Sequence, residues 1–239
     1  MIPDLEAAKA AAARSSVEQI ASGERRIALG TGSTAAWVVR ALADRFPKGR
    51  GLDLIASSRA TEELAARLGL SVRALREDDR FDLMIDGADE VSSELDLTKG
   101  GGGALFREKL LARLSRRLVI VVDEGKLVDR LGRRHPIPIE VVPFARPVIA
   151  HGLAAAGWSV RLRPGPSGPA FRTDNGNEIL DLTPARPLEN PRATHDALRS
   201  QIGVVETGIF VGMTERVIVG HADGRVEERR TPNTAHRHD

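Results

Sequence analysis

Residues 27–35 read IALGTGSTA, a short apolar run that leads directly into a turn rich in glycine and hydroxyl side chains. The segment that follows, through Phe46, has helical character. The stretch therefore predicts a strand, a glycine turn and a helix in immediate succession. Repeated units of this kind build α/β proteins with a parallel sheet.

The same succession recurs along the first half of the chain. Further strands are predicted at 52–56 (LDLIA), 70–74, 81–85 (FDLMI) and 118–122 (LVIVV). Helices are predicted at 4–22, 57–67 and 103–117. Because the longer strands are predominantly apolar, we expect a mostly parallel sheet that helices cover on both faces.

Past residue 130 prolines punctuate shorter strands, which predicts a smaller α+β domain over 131–204. Its predicted elements are a helix that ends at Gly157, strands at 158–163, 170–172 and 178–182, a DNGN turn at 174–177 and a helix at 189–201. The runs at 204–210 and 216–220 are expected to return to the first sheet. The α/β domain would then comprise 1–130 plus 205–230, with a disordered polar tail at 231–239.

Composition excludes several classes of protein. The 239 residues contain no cysteine, so the chain has no disulfide, thiolate nucleophile or Cys-ligated metal. No apolar run approaches the ~20 residues of a membrane helix, and the first residues lack a signal-peptide profile, so we expect a cytoplasmic protein with no membrane partner. The 35 basic and 33 acidic residues form no basic stripe, and aromatic residues make up 3% of the chain, which argues against a nucleic-acid partner.

The turn GTGSTA at 30–35 predicts a phosphate site. At a strand-to-helix junction, backbone N–H groups and the helix dipole favour an anion. Thr31, Ser33 and Thr34 add hydroxyl groups around Gly32.

Two alternatives stay open for this turn. Its glycine spacing also fits the dinucleotide pattern G-x-G-x-x-G/A, which expects an acidic residue at the end of the second strand. This chain has Ser57-Ser58-Arg59 there, although Arg59 suits the 2′-phosphate of NADP. A purely structural turn is the other alternative.

Two carboxylates follow the predicted strand 81–85 in the motif DGADE at 86–90. Asp86 and Asp89, separated by Gly87 and Ala88, would lie at the carboxyl end of a strand, where open α/β sheets bind ligands. Such a pair can transfer a proton or bind sugar hydroxyls. An ordinary Asp-Gly turn is the structural alternative.

A second glycine-rich loop follows Lys99, which is one of only five lysines in the chain. Gly100, Gly101 and Gly102 open a run of four glycines that leads into a predicted helix. Ordering four glycines costs much backbone entropy, which is tolerated mainly where bare N–H groups must approach a ligand. We therefore favour a second anion site over a flexible linker.

Glu108 is the residue that most clearly suggests catalysis. Its neighbours three and four positions away are Ala104, Leu105, Leu111 and Ala112, all apolar. Glu108 is therefore expected to project from the buried stripe of its helix towards the glycine loop. Apolar surroundings raise a carboxyl pKa, and a glutamate tuned to ~6 to 7 is a competent general base. A buried glutamate paired with a distant arginine is the alternative.

Together these features predict proton-transfer chemistry on a phosphorylated sugar, with no metal and no cofactor. Phosphoryl transfer is disfavoured because the motif G-x-x-x-x-G-K-[ST] is absent.

The motifs resemble those of the ribose-5-phosphate isomerase family of the A type. The resemblance spans 20–220 and includes GTGSTA at 30, Ser57-Ser58, DGADE at 86, KGGGGAL with REK at 99–109, DEGK at 123, PIPIEVVP at 136, DNGN at 174 and VVETGIF at 204. It implies an aldose–ketose isomerase that interconverts D-ribose 5-phosphate and D-ribulose 5-phosphate in the pentose phosphate pathway, without a metal. It also implies a Rossmann-like α/β domain with a smaller α+β domain, assembled as a homo-oligomer (dimer or tetramer).

Carried over by motif, the resemblance implies that the substrate site is lined by Thr31 to Thr34, Asp86 to Asp89, Lys99 to Gly102 and Lys126. Glu108 would be the proton acceptor. As a hypothesis, Asp86 or Asp89 assists ring opening, Glu108 moves a proton between C2 and C1 through an enediolate, and Lys99 stabilises an oxygen or holds substrate. Two rival functions stay open: a non-catalytic sugar-phosphate sensor of the same fold, and an NADP-dependent reductase.

Overall fold

The computed structural model describes residues 5–166, 168 and 170–230. The helices are α1 (Leu5–Glu18), α2 (Ser33–Arg45), α3 (Arg59–Arg67), α4 (Leu105–Leu114), α5 (Arg146–Ala155) and α6 (Pro191–Arg199). The strands are β1 (Arg26–Leu29), β2 (Asp53–Ala56), β3 (Leu83–Asp86), β4 (Glu90–Val91), β5 (Leu97–Thr98), β6 (Leu118–Asp123), β7 (Ile137–Val141), β8 (Ser159–Leu162), β9 (Glu178–Thr183), β10 (Val204–Thr207), β11 (Ile209–Phe210), β12 (Arg216–Gly220) and β13 (Val226–Arg230). The predicted disordered tail 231–239 lies outside the described residues.

A six-stranded sheet has the order β13-β12-β6-β3-β1-β2, and its pairs are parallel except for the edge pair of β12 and β13. The prediction of a mostly parallel α/β sheet is confirmed. Strand β1 has β2 on one side and β3 on the other. The connections that leave β1 and β3 therefore diverge, and a crevice opens at the carboxyl ends of these two strands, where open α/β sheets bind ligands.

Alternate residues of the central strands supply two separate cores. Ile27 and Leu29 of β1 face a core that includes α1, α2 and α3, whereas Ala28 faces the core that includes Leu111 of α4. Side chains of successive strand residues point to opposite faces, which produces this division. The sheet is thus covered on both sides, as the predominantly apolar strands predict.

The alanines of α1 let this helix approach the sheet closely. Ala8, Ala12 and Ala13 are all buried. A Cβ atom on Gly220 of β12 would lie only 2.1 Å from the carbonyl oxygen of Ala8. The absence of a side chain at position 220 therefore fixes how near α1 can lie.

A second sheet is antiparallel and has the order β10-β7-β9-β8. Its apolar side packs against α5 and α6 through Ile149, Leu153 and Leu198. This α+β arrangement agrees with the predicted fold class. The proposed domain boundaries themselves stay a prediction.

The expectation that 204–210 returns to the first sheet is wrong, although the expectation for 216–220 is right. Strand β10 pairs with β7 of the antiparallel sheet, and β11 pairs with β5 in a third sheet of order β11-β5-β4. Gly208 divides the run, since its N–H donates to Pro138 at 2.7 Å and its carbonyl accepts from the N–H of Lys99 at 2.8 Å. A Cβ atom at 208 would lie 2.2 Å from the carbonyl oxygen of Lys99, so only glycine allows this crossing.

Two other predicted strands are reduced to isolated bridges. The segment 70–74 makes the single bridge Leu54–Val72, and the segment 170–172 contributes only the bridge Pro164–Ala170. Within the described residues, no helix combines the length and apolar character needed to span a bilayer.

Candidate active site

The turn after β1 is built around a close approach between Gly30 and Asp86. The N–H of Gly30 donates to the carbonyl of Ile85 at 3.0 Å, which joins the ends of β1 and β3. A Cβ atom on residue 30 would lie 1.8 Å from Oδ1 of Asp86. Glycine at this position therefore lets the Asp86 side chain lie across the end of β1.

The same turn leads into an open helix N-terminus. Gly32 occupies the N-cap of α2 with φ 98°, a left-handed conformation that favours glycine, and no side chain caps the helix there. The first N–H groups of α2 can therefore bind an anion from outside the helix. Beside them, the hydroxyl groups of Thr31 and Ser57 are 2.6 Å apart.

Asp86 is wholly buried at the end of β3. Its Oδ1 atom accepts from the N–H of Gly87 at 2.7 Å and of Thr31 at 3.1 Å. Its Oδ2 atom lies 2.7 Å from Nζ of Lys99. Asp86 is therefore occupied on both oxygens by the protein itself.

Asp89 is the more accessible member of the pair. It lies on the cavity wall, and its Oδ2 atom accepts from the N–H of Gly101 at 2.7 Å. A Cβ atom on Gly101 would come within 2.5 Å of Asp89 Oδ1. The glycine loop and the DGADE turn are thus in direct contact.

Lys99 follows β5 and is buried among acceptors. Its Nζ atom donates to the carbonyl of Gly87 at 2.6 Å and lies 3.3 Å from Oε2 of Glu108. Burial lowers the pKa of Lys99, but attraction to Asp86 and Glu108 outweighs burial, so the net shift of the pKa is upward. Lys99 therefore remains a cation throughout the neutral range.

Glu108 lies in the first turn of α4 and is 2% exposed. Burial raises its pKa to about 8, and the nearby charges of Asp86 and Asp89 add to the rise while Lys99 opposes it. Burial also raises the pKa of Asp86. Because Asp86 accepts two backbone N–H groups besides its contact with Lys99, the shared negative charge is better held on Asp86, and Glu108 is the carboxyl that exchanges a proton near neutral pH.

Lys126 approaches the same space from the end of a fourth strand, after those of β1, β3 and β5. It ends the 3-10 turn Glu124–Lys126 that follows β6, and Asp123 caps this turn by accepting from the N–H of Gly125 at 3.0 Å. Nδ1 of His221 lies 2.8 Å from Oε2 of Glu124. Within the described part of the chain Lys126 has no ion-pair partner.

These segments enclose a cavity of about 290 Å³. Its lining consists of Thr31, Gly32, Ser33, Thr34, Gly87, Ala88, Asp89, Lys99, Gly100, Gly101, Gly102, Glu108 and Lys126. All the residues that the sequence suggested as lining lie here, with the exception of Asp86, which lies beneath the wall against Lys99. Among residues 5–166, 168 and 170–230, no group of three or more His, Asp or Glu side chains is arranged to hold a metal ion.

Sequence reasoning missed an aromatic residue beneath the site. Phe210 of β11 lies under two ammonium groups, with Nζ of Lys99 5.5 Å and Nζ of Lys109 4.7 Å from the ring centroid. Lys109 is buried and donates to Glu206 and to the carbonyls of Thr207 and Ile209, and burial lowers its pKa to about 8. The sequence places Lys109 beside Glu108 but gives no sign of this network.

Comparison with known proteins gives a consistent result. Residues 53–224 match the family model described as ribose 5-phosphate isomerase A (phosphoriboisomerase A). The chain is 45% identical to ribose-5-phosphate isomerase A of Rhodopseudomonas palustris strain TIE-1 over 228 residues, which cover 92% of this chain and 97% of that protein. It is 45% identical to ribose-5-phosphate isomerase A of Thermomicrobium roseum over 226 residues, which cover 94% of each.

A solved structure agrees with the sequence relatives. The fold matches D-ribose-5-phosphate isomerase in complex with phospho-erythronic acid with a TM-score of 0.89 and 33% identity, over 95% of this chain and 99% of that one. None of these proteins is described as a reductase or as a sugar-phosphate sensor.

Proposed function

Because the chain belongs to the ribose-5-phosphate isomerase A family, we propose how its cavity performs the reaction of that family. The chain is an aldose–ketose isomerase that interconverts D-ribose 5-phosphate and D-ribulose 5-phosphate. The roles of individual residues are our proposal. Its central observation is the buried carboxyl of Glu108 beside the ammonium of Lys99 at the cavity wall.

The phosphate group is held at the N-terminus of α2. That helix has no side-chain cap, so its first N–H groups and the hydroxyls of Ser33 and Thr34 are available to a dianion. Lys126 adds a cation without an ion-pair partner among the described residues. Both the dipole of α2 and the charge of Lys126 attract the phosphate.

Ring opening is assisted by Asp89 rather than Asp86. Sequence reasoning leaves the two open, but Asp89 lies on the cavity wall whereas Asp86 is wholly buried and bound on both oxygens. In this assignment Asp89 takes the proton of the C1 hydroxyl as the bond between C1 and the ring oxygen breaks, and delivers it to the ring oxygen, which becomes the C4 hydroxyl. Asp86 holds Lys99 in place.

Glu108 then moves the proton that distinguishes aldose from ketose. Its carboxylate removes the proton from C2 of the open-chain aldehyde, and the electron pair forms the C1–C2 double bond of an enediolate with negative charge on O1. Glu108 returns the proton to C1, and the proton of the C2 hydroxyl passes to O1, so that C2 becomes the ketone and O1 a hydroxyl group. A positioned general base of this kind contributes a factor of roughly 10² to 10⁴ in rate.

Lys99 and the glycine loop stabilise the enediolate. The Lys99 ammonium lies 3.3 Å from Glu108, so it is next to the carbon atoms on which that carboxylate acts. A fixed cation and backbone N–H groups at the developing charge lower the barrier because they need no reorganisation during the reaction. Phospho-erythronic acid, which the structural relative binds, carries a phosphate and a carboxylate, a planar anion similar to an enediolate.

The decisive test is the substitution Glu108→Gln, which keeps the size of the side chain but removes its basicity. We expect the rate of ribulose 5-phosphate formation, measured with a chelator present, to fall by about 10² to 10⁴ while phospho-erythronic acid still binds. The matched control is Glu62→Gln on the exposed side of α3, which should retain the wild-type rate. Wild-type turnover in Glu108→Gln would rule out Glu108 as the base.

We also propose that the chain forms a homo-oligomer. Phe144, Val148 and Ile202 are 95%, 78% and 96% exposed, and large apolar side chains this open to water favour contact with another protein surface. Light scattering coupled to size exclusion gives the mass in solution. A monomer at high concentration would contradict the proposal.

A further inference from the structure

Arg163 follows β8 in the antiparallel sheet, yet its guanidinium lies against the glycine loop of the cavity. Its Nη1 atom donates to the carbonyl oxygen of Gly100 at 2.8 Å and to that of Gly101 at 3.1 Å. The side chain is 14% exposed. A cation next to the antiparallel sheet is thus placed on the outer edge of the loop that joins β5 to α4.

The guanidinium is itself fixed by Asp181 of β9. Nε of Arg163 donates to Oδ2 at 3.1 Å and Nη2 donates to Oδ1 at 2.5 Å, while Asp181 is 4% exposed. Such a two-point contact determines the plane of the guanidinium as well as its position. The ring of Phe171 lies 6.0 Å from the guanidinium carbon and also fills the space beside Gly103.

The two carbonyls that Arg163 binds determine where the opposite edges of their peptide units point. In a trans peptide the C=O and the N–H of one unit point in opposite directions. The unit that begins at Gly100 places its oxygen on Arg163 and its N–H, on Gly101, against Oδ2 of Asp89 at 2.7 Å. Arg163 and Asp89 therefore hold opposite edges of the same peptide unit.

The next peptide unit follows the same logic. Its oxygen, on Gly101, is bound by Arg163, so its N–H, on Gly102, points away from Arg163. Gly102 lines the cavity, and its N–H has no acceptor among the residues that the structure describes. This N–H is available to an anionic substrate.

Glycines allow such peptide units to rotate, because no Cβ atom restricts their backbone angles. The first unit is also held by the N–H of Gly103, which donates to the Gly100 carbonyl at 2.9 Å, whereas among the described residues Arg163 is the donor to the Gly101 carbonyl of the second unit. Rotation of the first unit by half a turn would put a carbonyl oxygen against the Asp89 carboxylate. Rotation of the second would present an oxygen to the cavity in place of the Gly102 N–H. Both outcomes oppose the binding of a sugar phosphate.

We propose that Arg163 is a positioning residue for the isomerisation, which orients two glycine peptide units so that Asp89 and the N–H of Gly102 face the substrate. The proposal rests on the proposed function, since Asp89 and the glycine loop are assigned to the substrate there. Arg163 is not itself part of the cavity lining; it acts through the backbone of the loop.

The test compares Arg163→Met with Arg161→Met. Arg161 lies in β8, two residues before Arg163, its Nη2 atom is 3.7 Å from the same Asp181, and its side chain is 71% exposed. Within the described residues none of its hydrogen bonds or ion pairs reaches the glycine loop. We expect kcat/KM to fall by about 100-fold in Arg163→Met, as for a misplaced catalytic group, and by less than about twofold in Arg161→Met.

A second variant separates positioning from a general loss of structure. Arg163→Ala leaves a space at the surface of the loop, and millimolar ethylguanidinium should restore part of its kcat without changing its urea midpoint. Arg163→Lys supplies a charge but no two-point contact, so its kcat/KM should lie between those of the wild type and Arg163→Met. Equal, near-wild-type rates in Arg163→Met and Arg161→Met would overturn the proposal. It would also be overturned if Arg163→Ala unfolded at a lower urea concentration than the wild type and ethylguanidinium did not restore its kcat. A wild-type chain without isomerase activity would overturn the proposed function instead.

Discussion

The carboxylate of Asp86 fills the space in which a Cβ atom on residue 30 would stand, since such an atom would lie 1.8 Å from Asp86 Oδ1. This relationship links the turn after β1 to the cation of the cavity, because Oδ2 of the same carboxylate lies 2.7 Å from Nζ of Lys99. A single methyl group on residue 30 would therefore displace the partner that holds Lys99.

Gly30→Ala is expected to remove most turnover and to lower the free energy of unfolding by about 1 to 3 kcal/mol, as in other overpacked sites. Urea unfolding and the coupled isomerase assay measure both effects. Gly23→Ala is the matched control, because nothing lies within 4 Å of its added Cβ atom. Equal behaviour of the two variants would contradict the proposed contact.

The pH dependence of kcat/KM is expected to report Glu108. Its pKa is raised to about 8, above its ordinary value of 4.5, chiefly by burial. Since the base must be ionised to accept the C2 proton, kcat/KM should rise with pH and level off only above about pH 8. An ascending limb centred near 4.5 would show that the reacting base is in water or is another group.

Asp86→Asn should move this limb to lower pH. The charge of Asp86 contributes to the raised pKa of Glu108, and asparagine removes the charge while keeping the shape of the side chain. The residual activity of the variant, measured from about pH 5 to about pH 9, should therefore level off earlier than that of the wild type. A limb that stays in place or moves upward would exclude electrostatic coupling between these two carboxyls.

The free energy of unfolding should also depend on pH through Glu108. It should fall as the pH rises, whereas kcat/KM should rise. Between pH 4.5 and about 8 the folded chain keeps the Glu108 proton while the unfolded chain releases it. The stability that this proton contributes is complete below 4.5 and is lost as the pH rises towards 8, at no more than about 1.4 kcal/mol per pH unit. Glu108→Gln lacks this loss, so its free energy of unfolding relative to wild type should increase from pH 5 to pH 8 in urea titrations. A difference that is constant with pH would contradict the raised pKa.

Two glycines test the backbone independently of the site. Gly152 lies inside α5 and Gly157 follows that helix with φ 91°, and an added Cβ atom meets nothing within 4 Å at either position. Gly152→Ala should raise the free energy of unfolding by about 0.5 to 1 kcal/mol, because alanine favours the helix. Gly157→Ala should lower it, because only its backbone angle is unfavourable. Thermal unfolding of both variants measures the difference in sign.

Local sequence patterns predict much of this molecule. The order of strand, glycine turn and helix at 27–46 predicts the parallel sheet, because apolar period and turn residues are local properties. The apolar neighbours of Glu108 three and four positions away predict its burial for the same reason. Its actual partner, Lys99, lies on a different element, and only the proximity of the KGGGG motif in the sequence suggests it.

The features that sequence patterns miss depend on contacts between distant segments. Gly208 changes sheets because its backbone meets Pro138 and Lys99, and neither contact leaves a periodic signal. The position of Arg163 on the glycine loop depends on how the antiparallel sheet lies against the loop between β5 and α4. Short runs such as 70–74 are apolar enough to be predicted as strands, but this segment forms only a single bridge, between its Val72 and Leu54.

The packing of α1 against β12 also affects the order in which parts of the chain can pack during synthesis. β12 is the parallel neighbour of β6, and the alanine face of α1 lies against Gly220 at its end. While the ribosome is still making the chain, α1 and one edge of β6 lack this partner until synthesis has passed residue 220. The open edge of β6 can pair with other chains during that interval. We therefore expect the growing chain to be more prone to aggregation before residue 220 is made than the finished protein, in which β12 covers that edge.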